Sequence, residues 1–164
     1  MLNITRKLSL SLLVAASLLG TLSACKKNEE APVAQASLYD RLGGLPAVTA
    51  VVDQFITNVV AETMTSNSKL KRTFDPLVQS GNSYRVASLR NHLIDQIGQA
   101  AGGPLVYKGK TMQAAHQGMA ITDVEFNALV AELAKAMTSK GVPAAQQTEV
   151  VTILSPLKST IVGQ

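Results

Sequence analysis

Residues 107–126 read YKGKTMQAAHQGMAITDVEF. His116 is one of only two histidines in 164 residues. It stands among small residues, with Met112 four positions before it and Gly118 two after. Thr122-Asp123 then looks like a helix start, since Thr caps well and Asp favours a first turn. A lone helical histidine is most often a surface residue. The meaning of His116 therefore depends on what the rest of the chain builds around it.

Reading outward, the chain is helical. Ser37-Leu38-Tyr39-Asp40 opens a short helix, Ser37 capping and Asp40 answering three residues on. Gly43-Gly44 stops it, and Pro46 suits the first turn of the next. From there apolar residues recur at Val48, Val51, Val52, Phe55, Ile56, Val59 and Val60, a 3.6-residue stripe. The valines favour strand by propensity, but strict alternation is absent, so the periodicity decides for helix. Residues 62–84 are polar and turn-rich, with Phe74 and Pro76 inside. A second stripe runs Val86, Leu89, Leu93, Ile97 and Ala100, and ends at Gly102-Gly103-Pro104. A short segment, 110–118, carries His116. The next helix places Phe126, Leu129, Val130, Leu133 and Met137 on one face and ends at Gly141-Val142-Pro143. The last begins near Pro143 with Val150, Leu154, Leu157 and Ile161 inward, and Pro156 should kink it. The expectation is an all-α domain over 37–164 with four substantial helices.

The N-terminus is of another kind. Arg6 and Lys7 precede an apolar run, LSLSLLVAASLLG at 8–20, too short to span a bilayer and laid out like a secretory signal. It ends in Leu22-Ser23-Ala24-Cys25, which resembles the lipobox of bacterial lipoproteins. That resemblance implies a signal peptide over 1–24, lipidation of Cys25, and a polar tether over 25–36. It implies a cell-envelope location, with membrane contact through the lipid. Lys26, where a retention signal would place aspartate, points to the periplasmic side of the outer membrane. Removing Arg6 and Lys7 leaves 13 basic against 11 acidic residues, which is not a nucleic-acid footprint. No other cysteine remains for a disulfide.

An imidazole is mostly neutral at pH 7 and binds transition metals, but one such ligand makes a weak site. A porphyrin changes this: it supplies four nitrogens, leaving the protein to provide one or two axial ligands and an apolar slot. His92 and His116 lie on segments separated by the Gly-Gly-Pro break, which allows them to face each other across a flat ligand. No Ser/His/Asp arrangement, closely spaced histidine pair, phosphate loop or partnered carboxylate pair competes with that reading.

In order along residues 38–162, the chain resembles the group I truncated haemoglobins. The matching features are Leu38-Tyr39-Asp40-Arg41-Leu42-Gly43-Gly44; Val51-Val52-Asp53-Gln54-Phe55; Gly102-Gly103-Pro104; Tyr107-x-Gly109-x-x-Met112-x-x-Ala115-His116-x-Gly118; Ile121-Thr122-Asp123 with Phe126; and Gly141-Val142-Pro143. The resemblance implies a globin fold shortened to two helices over two, haem b as cofactor, and His116 as proximal iron ligand. Phe55, Ile56, Phe74, Leu89, Leu93, Tyr107, Met112, Phe126 and Leu129 would line the haem. His92 matches a distal position from which a histidine binds iron in some hexacoordinate members. Here it lies at the edge of the inward stripe, about 60° round the helix from Leu89, so iron, haem propionate and solvent are all within its reach.

One departure bears on function. Many members carry a tyrosine directly after the helix phenylalanine, as donor to bound O2. Here Ile56 follows Phe55. Leu89 and Leu93 are apolar too, leaving only His92 or Tyr84 as donors if they turn inward. The expected function is binding of a diatomic ligand (O2, NO or CO) or one-electron cycling, with an electron-transfer partner in the second case. The alternatives are a nitric-oxide dioxygenase or peroxidase-like enzyme, which the missing donor disfavours, and a haem-free helical interaction module.

Overall fold

The structure, a computed structural model, describes residues 35–164. The expected signal peptide, the lipidation site Cys25 and all but the end of the tether lie outside the described residues. Every regular element among the described residues is helical.

Helix α1 (Leu38–Leu42) begins as its sequence indicates: the Asp40 N–H donates to the Ser37 hydroxyl, which donates in turn to the Asp40 carboxylate. Gly43, at φ +103°, ends it. A left-handed backbone of this kind suits glycine because a Cβ would clash. The chain passes at once into α2 (Gly44–Thr63), with Pro46 in its first turn. Val48, Val51, Val52, Phe55 and Val59 are buried along one side of α2, while Ile56 and Val60 are half-buried. This face packs mainly on α6 (Asp123–Ser139) and α4 (Ser83–Ala100). Tertiary burial of the stripe outweighs the modest helix propensity of valine.

Helix α7 (Ala144–Leu154) packs on α6 and on α4. The α2–α4 pair thus lies over the α6–α7 pair, giving a two-over-two sandwich of helices. Gly141, at φ +74°, makes the turn from α6 to α7. Pro156 interrupts the final helix as its missing N–H dictates: α7 gives way to a 3-10 turn (Ser155–Leu157) and then to α8 (Lys158–Ile161).

Two features differ from the sequence expectation. The polar, turn-rich stretch 62–84 contains a nine-residue helix, α3 (Lys71–Gln79), with Pro76 inside it. Leu70 at its start is 1% exposed and sits in the main core, and Phe74 packs against that core. Pro76 is tolerated because a helix this short loses a single backbone bond to it. In α4 the fully buried side is Ile94, Ile97 and Gly98, with Ala101 just beyond it. Of the anticipated stripe, Ile97 is buried as expected, while Val86, Leu89, Leu93 and Ala100 are only half-buried. At 100° per residue, Leu93 lies 100° round the helix from Ile94, so α4 has two apolar flanks, one against α2 and α7 and one beside it.

Helix α6 starts with a full capping box. Thr122 accepts from the Glu125 N–H, and the Glu125 carboxylate accepts from the Thr122 N–H and hydroxyl. The same carboxylate is gripped by α3: Arg72 donates through Nε (2.9 Å) and one terminal nitrogen (2.6 Å), and the Thr73 hydroxyl adds a third bond (2.8 Å). Glu125 is 7% exposed. The Arg72 guanidinium, more than the Thr122 and Thr73 donors, pulls its pKa from 4.5 to about 2.

A carboxylate held below its ordinary value stabilises the fold above the unfolded-state pKa and ceases to do so as pH falls through the folded one. The melting temperature is therefore expected to fall between about pH 4.5 and about pH 2. Glu125→Gln should lower it at pH 7 and flatten that dependence. Calorimetric melting of both proteins across this range checks the expectation.

Candidate functional site

The segment between α4 and α6 carries His116. It leaves α4 through Ala101, whose carbonyl accepts from the Tyr39 N–H at 2.9 Å. Leu105 then lies over Gly98, so closely that a Cβ at position 98 would collide with its side chain. The Tyr107 N–H donates to Gln99 Oε1 (2.6 Å) and its hydroxyl donates to the Lys110 carbonyl (2.8 Å). Burial pushes the Tyr107 phenol upward. These contacts lay the connector along α4 and deliver it to Thr111, which caps α5 (Met112–His116) by accepting from the Ala114 N–H.

Within α5, His116 Nδ1 lies 2.7 Å from the Met112 carbonyl. A carbonyl only accepts, so Nδ1 carries the proton and donates. With Nδ1 so engaged, Nε2 is the ring nitrogen left to face a metal. His116 is half-buried, and the flanking Ala114 and Ala115 are small and exposed. A ring oriented by a carbonyl, with its other nitrogen free, is the arrangement typical of a metal-bound imidazole. The residues present fit a haem in this respect: one nitrogen donor, and half-buried apolar side chains on α3, α4, α5 and α6.

The residues expected around the cofactor fall as follows. Phe55 is buried in the main core. Ile56, Phe74, Leu93 and Leu129 are half-buried and pack against that core, and Leu89, Met112 and Phe126 are half-buried. Lys158 of α8 pairs with Asp123 at 2.6 Å and places Nζ 5.8 Å from the Phe126 ring centre. His92 is exposed on α4 and meets the edge of Tyr107, ring centres 5.8 Å apart and planes at 68°. The contact recorded for His92 is thus with Tyr107 rather than with His116. His92 also lines a groove of about 260 Å³ with Tyr84, Ser88, Asn91, Asp95 and Lys108. Tyr84, the other possible donor, is 81% exposed.

Arg72 and Glu125 did not emerge from the sequence as site residues. Thr122 as the start of a helix was visible in the sequence. The partnership of Glu125 with Arg72, 53 positions away, was not. Arg72 reaches the histidine segment directly, donating to the Met119 carbonyl (2.8 Å) and the Ala120 carbonyl (3.0 Å).

Comparison with known proteins agrees with this architecture. A family profile described as bacterial-like globin matches residues 37–163. The group 1 truncated hemoglobin GlbN of Mycolicibacterium paratuberculosis is 32% identical over 126 residues, covering 77% of this chain and 84% of that protein. The crystal structure of the truncated hemoglobin of Tetrahymena pyriformis, in its Fe(III) form, is 26% identical. It superposes with a TM-score of 0.67, over 79% of this chain and all of the other. The 2/2 hemoglobin of Synechococcus, solved in the cyanomet state with covalently attached heme, is 30% identical. Its TM-score is 0.65 over the same shares. The two-over-two sandwich, the capped histidine segment and these matches lead to one conclusion: the chain belongs to the bacterial-like globins, as a group 1 truncated hemoglobin.

Proposed function

We propose that this globin binds haem b through His116 and uses it for reversible binding of a diatomic ligand or for one-electron exchange. The observation that carries the reading is the hydrogen bond from His116 Nδ1–H to the Met112 carbonyl, which leaves Nε2 as the free donor. When bound, haem would supply an iron centre able to bind a diatomic ligand or exchange an electron, with His116 as the residue that would hold it. Met112, Phe126 and Leu129 would offer the apolar contacts of the proximal side. Ile56, Phe74, Leu89 and Leu93 would offer those of the distal side.

The distal side chains favour weak retention of O2. Ile56, Leu89 and Leu93 carry no donor, and Tyr84 projects to solvent. His92 alone, by rotating away from Tyr107, would bring a polar group inward. An imidazole in that position either binds the iron or donates to a bound ligand. Ligation would favour electron transfer or ligand sensing, since an incoming molecule must first displace it. The electron-transfer partner and the gas ligand are then the two classes of partner. The lipidated Cys25 would tether the domain to the periplasmic face of the outer membrane.

Haemin titration followed by absorption spectroscopy tests the reading. Wild type should give a saturable Soret band, and His116→Ala should lose most of its affinity. An unaltered titration in that variant would overturn the assignment. His92→Ala should convert any low-spin fraction to high spin, and a spectrum identical to wild type would exclude His92 as a ligand. Ile56→Tyr should slow O2 dissociation from the ferrous protein roughly tenfold, as one added hydrogen bond implies. Stopped-flow displacement of O2 by CO would measure it.

A further inference from the structure

We propose that Arg72 is a positioning residue for the iron ligand: its guanidinium holds the turn that follows His116 in place. The inference rests on the reading of His116 as the proximal ligand.

The turn needs holding. After α5 the chain reverses at residues 117–120, where the Met119 N–H donates to the His116 carbonyl at 3.0 Å. Ala120 follows at φ +47°, the only positive φ among the described residues other than glycines. A non-glycine residue in that region is strained and persists only when its surroundings fix it. Two sets of contacts do so. On one side the end of the chain pairs with it: the Ala120 N–H donates to the Gln164 carbonyl (2.6 Å) and the Gly163 N–H to the Ile121 carbonyl (2.9 Å). On the other side Arg72 donates to the carbonyls of Met119 and Ala120.

Arg72 can do this because it is itself immobilised. Exposed ion pairs contribute little on their own, and the Arg72 side chain is 54% exposed. Its acceptor is not exposed, however, with the Glu125 side chain at 9%. The pairing uses both carboxylate oxygens, which fixes the plane of the guanidinium. Four of its five N–H groups are then spent on Glu125, Met119 and Ala120. A lysine ammonium cannot reach a carboxylate and two successive carbonyls from one point, so the site calls for a planar fork. The result is a cross-link from the first turn of α3 to the turn behind the ligand. Phe74 of the same helix packs on the core, so the cross-link also sets the spacing between α3 and the His116 segment.

The competing account is that Arg72 merely holds α3 down through Glu125. Thr73 separates the two, because its hydroxyl also anchors α3 to Glu125 but touches neither carbonyl. The experiment is amide hydrogen exchange on the haem-free chain for Arg72→Gln, Arg72→Lys and Thr73→Val, with haem loss from the loaded proteins measured in parallel. Both Arg72 variants should raise exchange at Met119 and Ala120 roughly tenfold or more, with α2 and α6 amides unchanged. They should also hasten haem loss, and shift the iron–imidazole stretching frequency of the ferrous protein. Thr73→Val should leave all three near wild type. Equal effects from Thr73→Val, recovery of wild-type behaviour in Arg72→Lys, or a uniform rise across α2 and α6 would overturn the proposal. His116→Ala is the control for the underlying reading: if it holds haem as firmly as wild type, the ligand assignment falls whatever the exchange data show.

Discussion

A helix of five residues does not hold itself together in water. Its first turn fixes several dihedrals for a single hydrogen bond, and no further turns follow to offset that cost. Helix α5 is such a helix, and it carries His116, the proposed haem ligand. His116 is therefore held largely by contacts beyond the helix's own backbone bonds. Thr111 caps the start, the imidazole bonds back to Met112, Arg72 holds the turn beyond, and the C-terminal residues close the other side. The rest of the fold can be read as the scaffold that brings these four holds to one place.

That scaffold is a core of ordinary kind. Val48, Val52, Leu70, Met137 and Val150 are nearly inaccessible, and together they join α2, α6 and α7 with the start of α3. Gly98 lets Leu105 settle onto α4, which starts the connector on the path ending at Thr111. The core thus contributes to the site at a distance, through where it lets the chain leave one helix and begin the next. The buried carboxylate of Glu125 serves two purposes at once, capping α6 and anchoring Arg72. Buried charge is costly unless fully partnered, and here five hydrogen bonds to its side chain meet that need.

Much of this was legible from local pattern. The capping residues Ser37 and Thr122, the terminating Gly43 and Gly141, the break at Pro156 and the stripe of α2 all act within a few residues of themselves. Their physics is complete in a short window of sequence. Helix α3 was missed because polar residues and Pro76 masked a short helix whose apolar anchor, Leu70, lies just before its start. The expected stripe of α4 included the buried Ile97 but not Ile94, because two apolar flanks overlap on one helix, and periodicity alone does not say which packs on protein. His92 sat at the edge of one of them, and its contact with Tyr107 depends on how the connector returns along α4.

By itself, then, the sequence determined the helical class, the limits of most helices and, through an ordered set of motifs, the globin family with His116 as the candidate ligand. The helical class and helix limits follow from neighbours along the chain, where spacing and side-chain type are the cause, whereas the family and the role of His116 are what the resemblance of those motifs implies. Only the tertiary structure decided that His92 rests against Tyr107 and that Arg72 joins α3 to the turn behind the histidine. The Arg72 contacts bring together groups about 50 residues apart, and no local pattern encodes that meeting, because it is set by how whole helices pack.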